Sequence, residues 1–183
     1  EITTRLVGSE MCIRDSSNDA SGSVVCACLE GNRPILVEVQ ALVAKTPYGM
    51  PRRTAVGFDY NRVTMLLAIL ERRLGMDFGA YDAYVNVVGG MRVTEPAADL
   101  AVAAALVSSY RNRPIPHGVL VMGEVGLTGE VRRIGSPERR IKDAMNLGFK
   151  RFVLPMGKLS LDEPCNGIVQ VKTLEEALDK VFA

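Results

Sequence analysis

The sequence predicts an α+β fold, a mixed sheet covered by packed helices. Three observations carry that expectation. From Leu100 to Val107 every residue is apolar, and alanine dominates from Ala97 onward; a helix apolar on all sides is buried on all sides. Valine-rich runs precede it (Val85, Val87, Val88) and follow it (Val119, Leu120, Val121, Met122), as strands packed against a helix would. The chain also opens with two β-rich runs around a short turn and closes with strands and helices in alternation.

Residues 1–22 lack apolar periodicity and run into SSNDASGS (residues 16–23), the composition of a flexible polar linker. Within them Leu6 to Ser16 (LVGSEMCIRDS) looks like a translated sequencing-library adapter; an ordinary linker to an upstream domain is the other reading. In both cases the fold is expected to occupy residues 23–183. Val24–Leu29 and Pro34–Val43 flank Glu30-Gly31-Asn32-Arg33 and predict a hairpin. Two prolines and a glycine between Lys45 and Arg53 mark a loop, and Thr54–Phe58 a short strand. Val63, Leu66, Leu67 and Leu70 recur at helical spacing over 61–74, with Asp59 or Asn61 as cap and Gly75 as stop. A strand over 84–88 reaches a turn at Gly89-Gly90.

The central helix begins at Pro96, whose missing N–H costs nothing in the first turn. Glu95 is biased away from helical geometry by that proline, Thr94 ahead of it reads as a cap, and Asp99 complements the helix dipole. After the turn Asn112–Gly118, the runs Val119–Met122, Glu124–Leu127 and Glu130–Ile134 read as consecutive strands, with Gly123, Gly126 and Gly129 as bulges or turns. A helix follows from Ser136 or Pro137 to Leu147, with Ile141, Ala144 and Met145 inward and Arg139, Arg140 and Lys142 decorating it. Short strands at 152–154 and 168–171 and a helix capped by Thr173, ending at Phe182, complete the chain.

With 183 residues, 48% of them hydrophobic, the chain can form one domain with a substantial core. Its net charge of +1 excludes a general polycation. No apolar run approaches membrane-spanning length and no secretory signal opens the chain, so a cytoplasmic setting with reduced thiols is expected. Cys12, Cys26, Cys28 and Cys165 form no CxxC pair, so no zinc or other metal site is expected. Cys26 and Cys28 read as small core residues of a strand. His117, the only histidine, sits in a Pro-His-Gly turn with no nucleophile–acid set around it. No Gly-x-x-x-x-Gly-Lys-Ser/Thr phosphate loop is present.

The segments VVGGMRVTEPAADLAVAAAL, GEVGLTGEVRRI and ERRIKDAMNLGFKR resemble the Lon-type proteolytic domain, and more closely the Lon-protease-like C-terminal domain of the RadA (Sms) family of bacterial DNA-repair proteins. The resemblance covers roughly Ser23 to Ala183 and implies a ribosomal-S5-domain-2-like fold. Lon-type domains place a serine nucleophile in Asp-Gly-Pro-Ser-Ala-Gly at the start of the same helix; here that run is Thr94-Glu95-Pro96-Ala97-Ala98-Asp99. Their catalytic lysine falls at Glu138. Ala97 has no nucleophilic atom and Glu138 offers no amine, so both halves of a Ser–Lys dyad are missing. Thr94, Ser108, Ser109, Ser136 and Lys142 supply hydroxyls and an amine, but not at those positions. The resemblance therefore implies an inactive, hexamer-forming domain that serves ring assembly and DNA binding; an active Ser–Lys-type peptidase and a pure oligomerisation module without DNA contact are the other readings. It assigns ATP, Mg and Zn to a RecA-type motor and a zinc finger upstream, with no cofactor in this chain.

Charge is uneven. Residues 45–73 hold six basic side chains against two acidic ones, and 130–151 hold seven against three, a net of +4 in each. Arg52, Arg53, Arg132, Arg133, Arg139, Arg140 and Lys142 are the candidates for neutralising DNA phosphates, single-stranded or branched; the other reading is a solvated face with scattered ion pairs. No aromatic platform is interleaved with the arginines, so base stacking is not suggested.

Overall fold

The computed structural model describes residues 20–161 and 164–183. The adapter-like run and Cys12 lie outside the described residues. The hairpin strands are β1 (Ser23–Glu30) and β2 (Arg33–Lys45), antiparallel with Cys26 opposite Val37. Then follow β3 (Arg53–Val56), α1 (Tyr60–Leu74) and β4 (Tyr81–Val87). One 3₁₀ turn at Pro96–Ala98 leads into α2 (Asp99–Arg111). The rest comprises β5 (Val119–Val121), β6 (Glu124–Val125), β7 (Val131–Arg132), α3 (Pro137–Asn146), β8 (Arg151–Pro155), β9 (Ile168–Val171) and α4 (Leu174–Phe182).

Seven strands form one mixed, mostly parallel sheet in the order β3-β4-β2-β1-β5-β8-β9. Strand alternation gives β1 two apolar faces. Cys26 and Cys28 look toward the core shared with α1, α2 and α4, while Ala27 looks toward Ile141 and Ala144 of α3. The sheet is thus sandwiched between three helices and one. Helix α2 lies across β1 and β2 and is buried from Asp99 through Ser108. Its alanines allow that: a side chain of one carbon lets sheet and flanking helices close on it together.

Local signals set several ends. Asp59 caps α1 by accepting the Arg62 N–H at 2.8 Å, and Gly75 ends it with φ 65°, a left-handed conformation that costs glycine little. Thr173 caps α4 through the Glu176 N–H at 3.2 Å.

The structure corrects three expectations. Strand β4 begins at Tyr81, three residues early, because Tyr81, Asp82 and Ala83 pair with the end of long β2. Thr94 does not cap the central helix; it is exposed, and no side chain caps the Pro96 turn. The three expected strands after the turn do not run on together. The Gly123 N–H donates to the Ala97 carbonyl at 2.8 Å and its carbonyl accepts from Leu100 at 3.0 Å. The chain therefore leaves the main sheet there, and β6 and β7 pair only with each other. Ahead of β1, the Gly22 carbonyl accepts from Ala41 at 2.7 Å and its N–H donates to Ser108 Oγ at 2.8 Å.

The burial of α2 makes a direct prediction. Ala101 is fully buried, so Ala101→Arg should abolish the cooperative melt, an unpaired buried charge costing several kcal/mol. A circular-dichroism melt like that of the parent would show the helix is open on that side.

Candidate functional site

Two charged pairs converge at the start of α2. The first joins Glu95 to Arg140. Arg140 is fully buried, and both Nη atoms donate to the Glu95 carboxylate, Nη1 to Oε2 at 3.0 Å and Nη2 to Oε1. Nη1 also donates to the Ala27 carbonyl at 2.6 Å, and Nε to the Gly135 carbonyl at 2.8 Å. Glu95 Oε2 in turn accepts the Leu29 N–H at 2.8 Å. The placing of Arg140 on the helix surface is therefore overturned: it faces inward beside Ile141, because β1 offers it a carbonyl and Glu95 a carboxylate.

The second pair joins Asp99 to Arg62. Asp99 is fully buried and accepts from Arg62 Nε at 2.9 Å, from Arg62 Nη2, and from the Val125 N–H at 3.1 Å. Burial pushes its carboxyl up from the ordinary value, against the pull of the Arg62 and Val125 hydrogen bonds. From Arg62 a chain of charges reaches the surface: Glu124 at 4.0 Å, then Arg132 at 3.5 Å, then Glu130 at 2.6 Å. Neither Glu95 nor Asp99 was singled out for such a partner in the sequence. The available signal was an acid set against an unbroken apolar run, since a buried carboxylate needs a counter-charge.

Around these pairs the two positions expected for a dyad stand apart. Ala97 is buried, its carbonyl held by Gly123, where a Cβ would come within 2.8 Å of Val131 Cγ1. Glu138 lines a pocket of about 210 Å³ with Arg133, Pro137, Leu154, Lys158 and Leu159; Ala97 does not line it. The Glu138 carboxylate instead accepts the Ser160 N–H at 3.4 Å. Ser108 donates to the Arg113 carbonyl at 2.6 Å, and Ser109 accepts the Val43 N–H at 2.9 Å. The Cys26 and Cys28 sulfurs stand 3.6 Å apart. Their hydrogen bond, with burial, pushes the Cys26 thiol well above its ordinary value, which disfavours the thiolate. Among the described residues no group of three His, Cys, Asp or Glu could hold a metal ion.

The DNA candidates divide. Arg52, Arg133, Arg139 and Lys142 are exposed. Arg53 spends its guanidinium on the Phe78 carbonyl, at 2.7 Å, and the Tyr81 carbonyl. Arg132 is exposed but bound by Glu130 and Glu124. Among the described residues no helix is long and apolar enough to cross a membrane.

Fold and site together define an α+β domain whose inward-facing charges serve architecture. The family model described as subunit ChlI of Mg-chelatase matches residues 39–158. The DNA repair protein RadA of Pseudomonas aeruginosa is 51% identical over 88% of this chain and 36% of its own length. Those of Halalkalibacterium halodurans and Bacillus subtilis are 46% and 45% identical over 93% and 97% of this chain, and 38% and 39% of their own lengths. The chain belongs to the RadA family of DNA-repair proteins, and the ChlI family model covers most of it. It spans well under half the length of these relatives.

The charged pairs can be tested in two ways. Arg140→Ala should destabilise the domain by about 3–5 kcal/mol, since it strands Glu95 and the Ala27 carbonyl, and Glu95→Gln with Arg140→Met should recover part of that deficit in a denaturant titration. Equal stability of Arg140→Ala and the parent would refute the clamp. Glu130 gives a pH signature. The Thr128 hydroxyl, its own N–H and Arg132 hold its carboxyl down at about 2, against an ordinary 4.5. A depressed acid stabilises above its unfolded value and loses that contribution as pH falls through the folded one. The melting-temperature gap between parent and Glu130→Gln should therefore be full at pH 6 and close toward pH 2; a gap that does not vary with pH would contradict it.

Proposed function

We propose that this chain is a catalytically inactive Lon-like domain, with the ribosomal-S5-domain-2-like fold, of a RadA-type DNA-repair ATPase. It serves as a scaffold for ring assembly and as a non-specific DNA-binding surface. The observation that carries this reading is the Glu95–Arg140 pair. The two segments that hold a nucleophile and a lysine in Lon-type domains are joined here by an ion pair that supports β1, with Ala97 buried beside it. The similarity to RadA proteins supports the repair context; ATPase activity of the longer protein, its use of ATP, Mg and Zn outside this chain, a hexameric state and a cytoplasmic location are further parts of the proposal.

For DNA, the reading rests on the exposed Arg52, Arg133, Arg139 and Lys142, of which Arg133 also donates to the Met156 carbonyl at 3.4 Å; Arg140 is buried, and Arg53 and Arg132 are held by carbonyls or carboxylates. Binding of this kind reads the backbone and carries little sequence preference.

Two measurements test the proposal. Pure domain should neither cleave an unstructured protein nor be labelled by a serine-directed covalent inhibitor, and Ala97→Ser should fold and stay inactive because Glu138 cannot deprotonate it. Cleavage by the parent that disappears in Lys142→Ala would sink the inactive reading. In fluorescence anisotropy over a salt series, Arg133→Gln with Arg139→Gln should lower the salt slope by about one unit for each phosphate no longer neutralised, and leave the mass by light scattering unchanged. An unchanged slope would make this cluster a solvated face.

A further inference from the structure

The loop between β2 and β3 presents two large apolar side chains to solvent from a rigid base. Tyr48 is 94% exposed and Met50 89%, the most open large hydrophobic side chains among the described residues. The base of the loop is fixed from both ends. The Asp82 carboxylate, itself buried in β4, accepts from Thr46 Oγ1 at 2.9 Å and from the Arg52 N–H at 2.8 Å. The Thr46 N–H donates to the Ala80 carbonyl at 3.0 Å, and the Arg52 carbonyl accepts from Ala83 at 2.9 Å. Pro47 and Pro51 bracket the tip and restrict its backbone further. Tyr48 therefore stands out of the fold with its surroundings already ordered, so a ligand stacking on it would incur little entropy cost.

The charge around the tip is one-sided. From Val39 to Phe58 the sequence holds Lys45, Arg52 and Arg53 and no acid. Arg53 is engaged by backbone carbonyls, which leaves Lys45 and Arg52 on either side of Tyr48. The Asp82 carboxylate at the base is already occupied by the loop it holds. An aromatic ring between two cations fits a polyanion that carries flat rings, and it fits poorly against a second copy of the same basic loop.

We propose that Tyr48 is a stacking platform for an unpaired base of single-stranded DNA, with Lys45 and Arg52 neutralising the adjoining phosphates. This deepens the DNA-binding reading above and rests on it. It also reverses the sequence-based conclusion that no aromatic accompanies the arginines: Tyr48 lies three residues from one cation and four from another, and the fold leaves all three at one sheet end. A duplex keeps its base faces covered, so the ring discriminates by strandedness rather than by sequence.

The test is anisotropy of the chain with a labelled oligothymidine and with a duplex of equal length, at low salt. Tyr48→Ala should weaken the single strand at least about fivefold and the duplex less than about twofold, with unchanged melting temperature, and Tyr48→Phe should bind as the parent does. If the parent binds neither DNA, the DNA-binding reading falls and this inference with it. If the parent binds single strands and Tyr48→Ala binds equally, the stacking inference alone is wrong. A lower mass in light scattering for Tyr48→Ala would instead make the tip an interface between copies and overturn it.

Discussion

The fold depends on how β1 is completed on the side away from β2. Its parallel partner β5 meets it at a single register pair, Val25 with Leu120, and the strands then part. Beyond that point the Ala27 carbonyl and the Leu29 N–H face the same way with no strand to receive them. Arg140 donates to the first and Glu95 accepts from the second, while the two side chains bind each other. A guanidinium–carboxylate pair thus replaces one residue of a neighbouring strand. Buried backbone groups left unmade are costly, so the pair is needed for the middle of the sheet to stay dry. It ties together β1, the start of α2 and α3, which no single apolar contact could do with comparable directionality.

Asp99 and Arg62 repeat the device on the other side of the same turn. The Val125 N–H at β6 has left the main sheet and needs an acceptor, and Asp99 supplies it. The arginine that compensates Asp99 comes from α1 and is only partly exposed, so the charge is shared outward through Glu124 to Arg132. Arg132 thereby belongs to a structural network. Its exposure alone would have suggested an available cation.

These two pairs fix the head of α2 from both sides. The turn at the head of α2 is positioned by Glu95, Asp99 and the Ala97–Gly123 hydrogen bond, none of which involves a nucleophile.

Much of the architecture was legible in the sequence because local rules decide it. The hairpin, the caps at Asp59 and Thr173, the stop at Gly75 and the burial of α2 follow from turn chemistry, helix capping and an apolar run. That Ala97 carries no nucleophilic atom and Glu138 no amine is likewise plain from the sequence. What the sequence left undecided concerns partners far apart in the chain. Adjacent Arg139 and Arg140 are chemically identical, yet one is exposed and the other buried, because helical rotation aims only Arg140 at Ala27, 113 residues away. Tyr48 and Phe78 are both aromatic, yet one projects into solvent and the other packs 4.9 Å from Tyr110. Those outcomes are set by which backbone groups the sheet leaves unpaired and where its strands end, and such quantities exist only once the tertiary structure has formed.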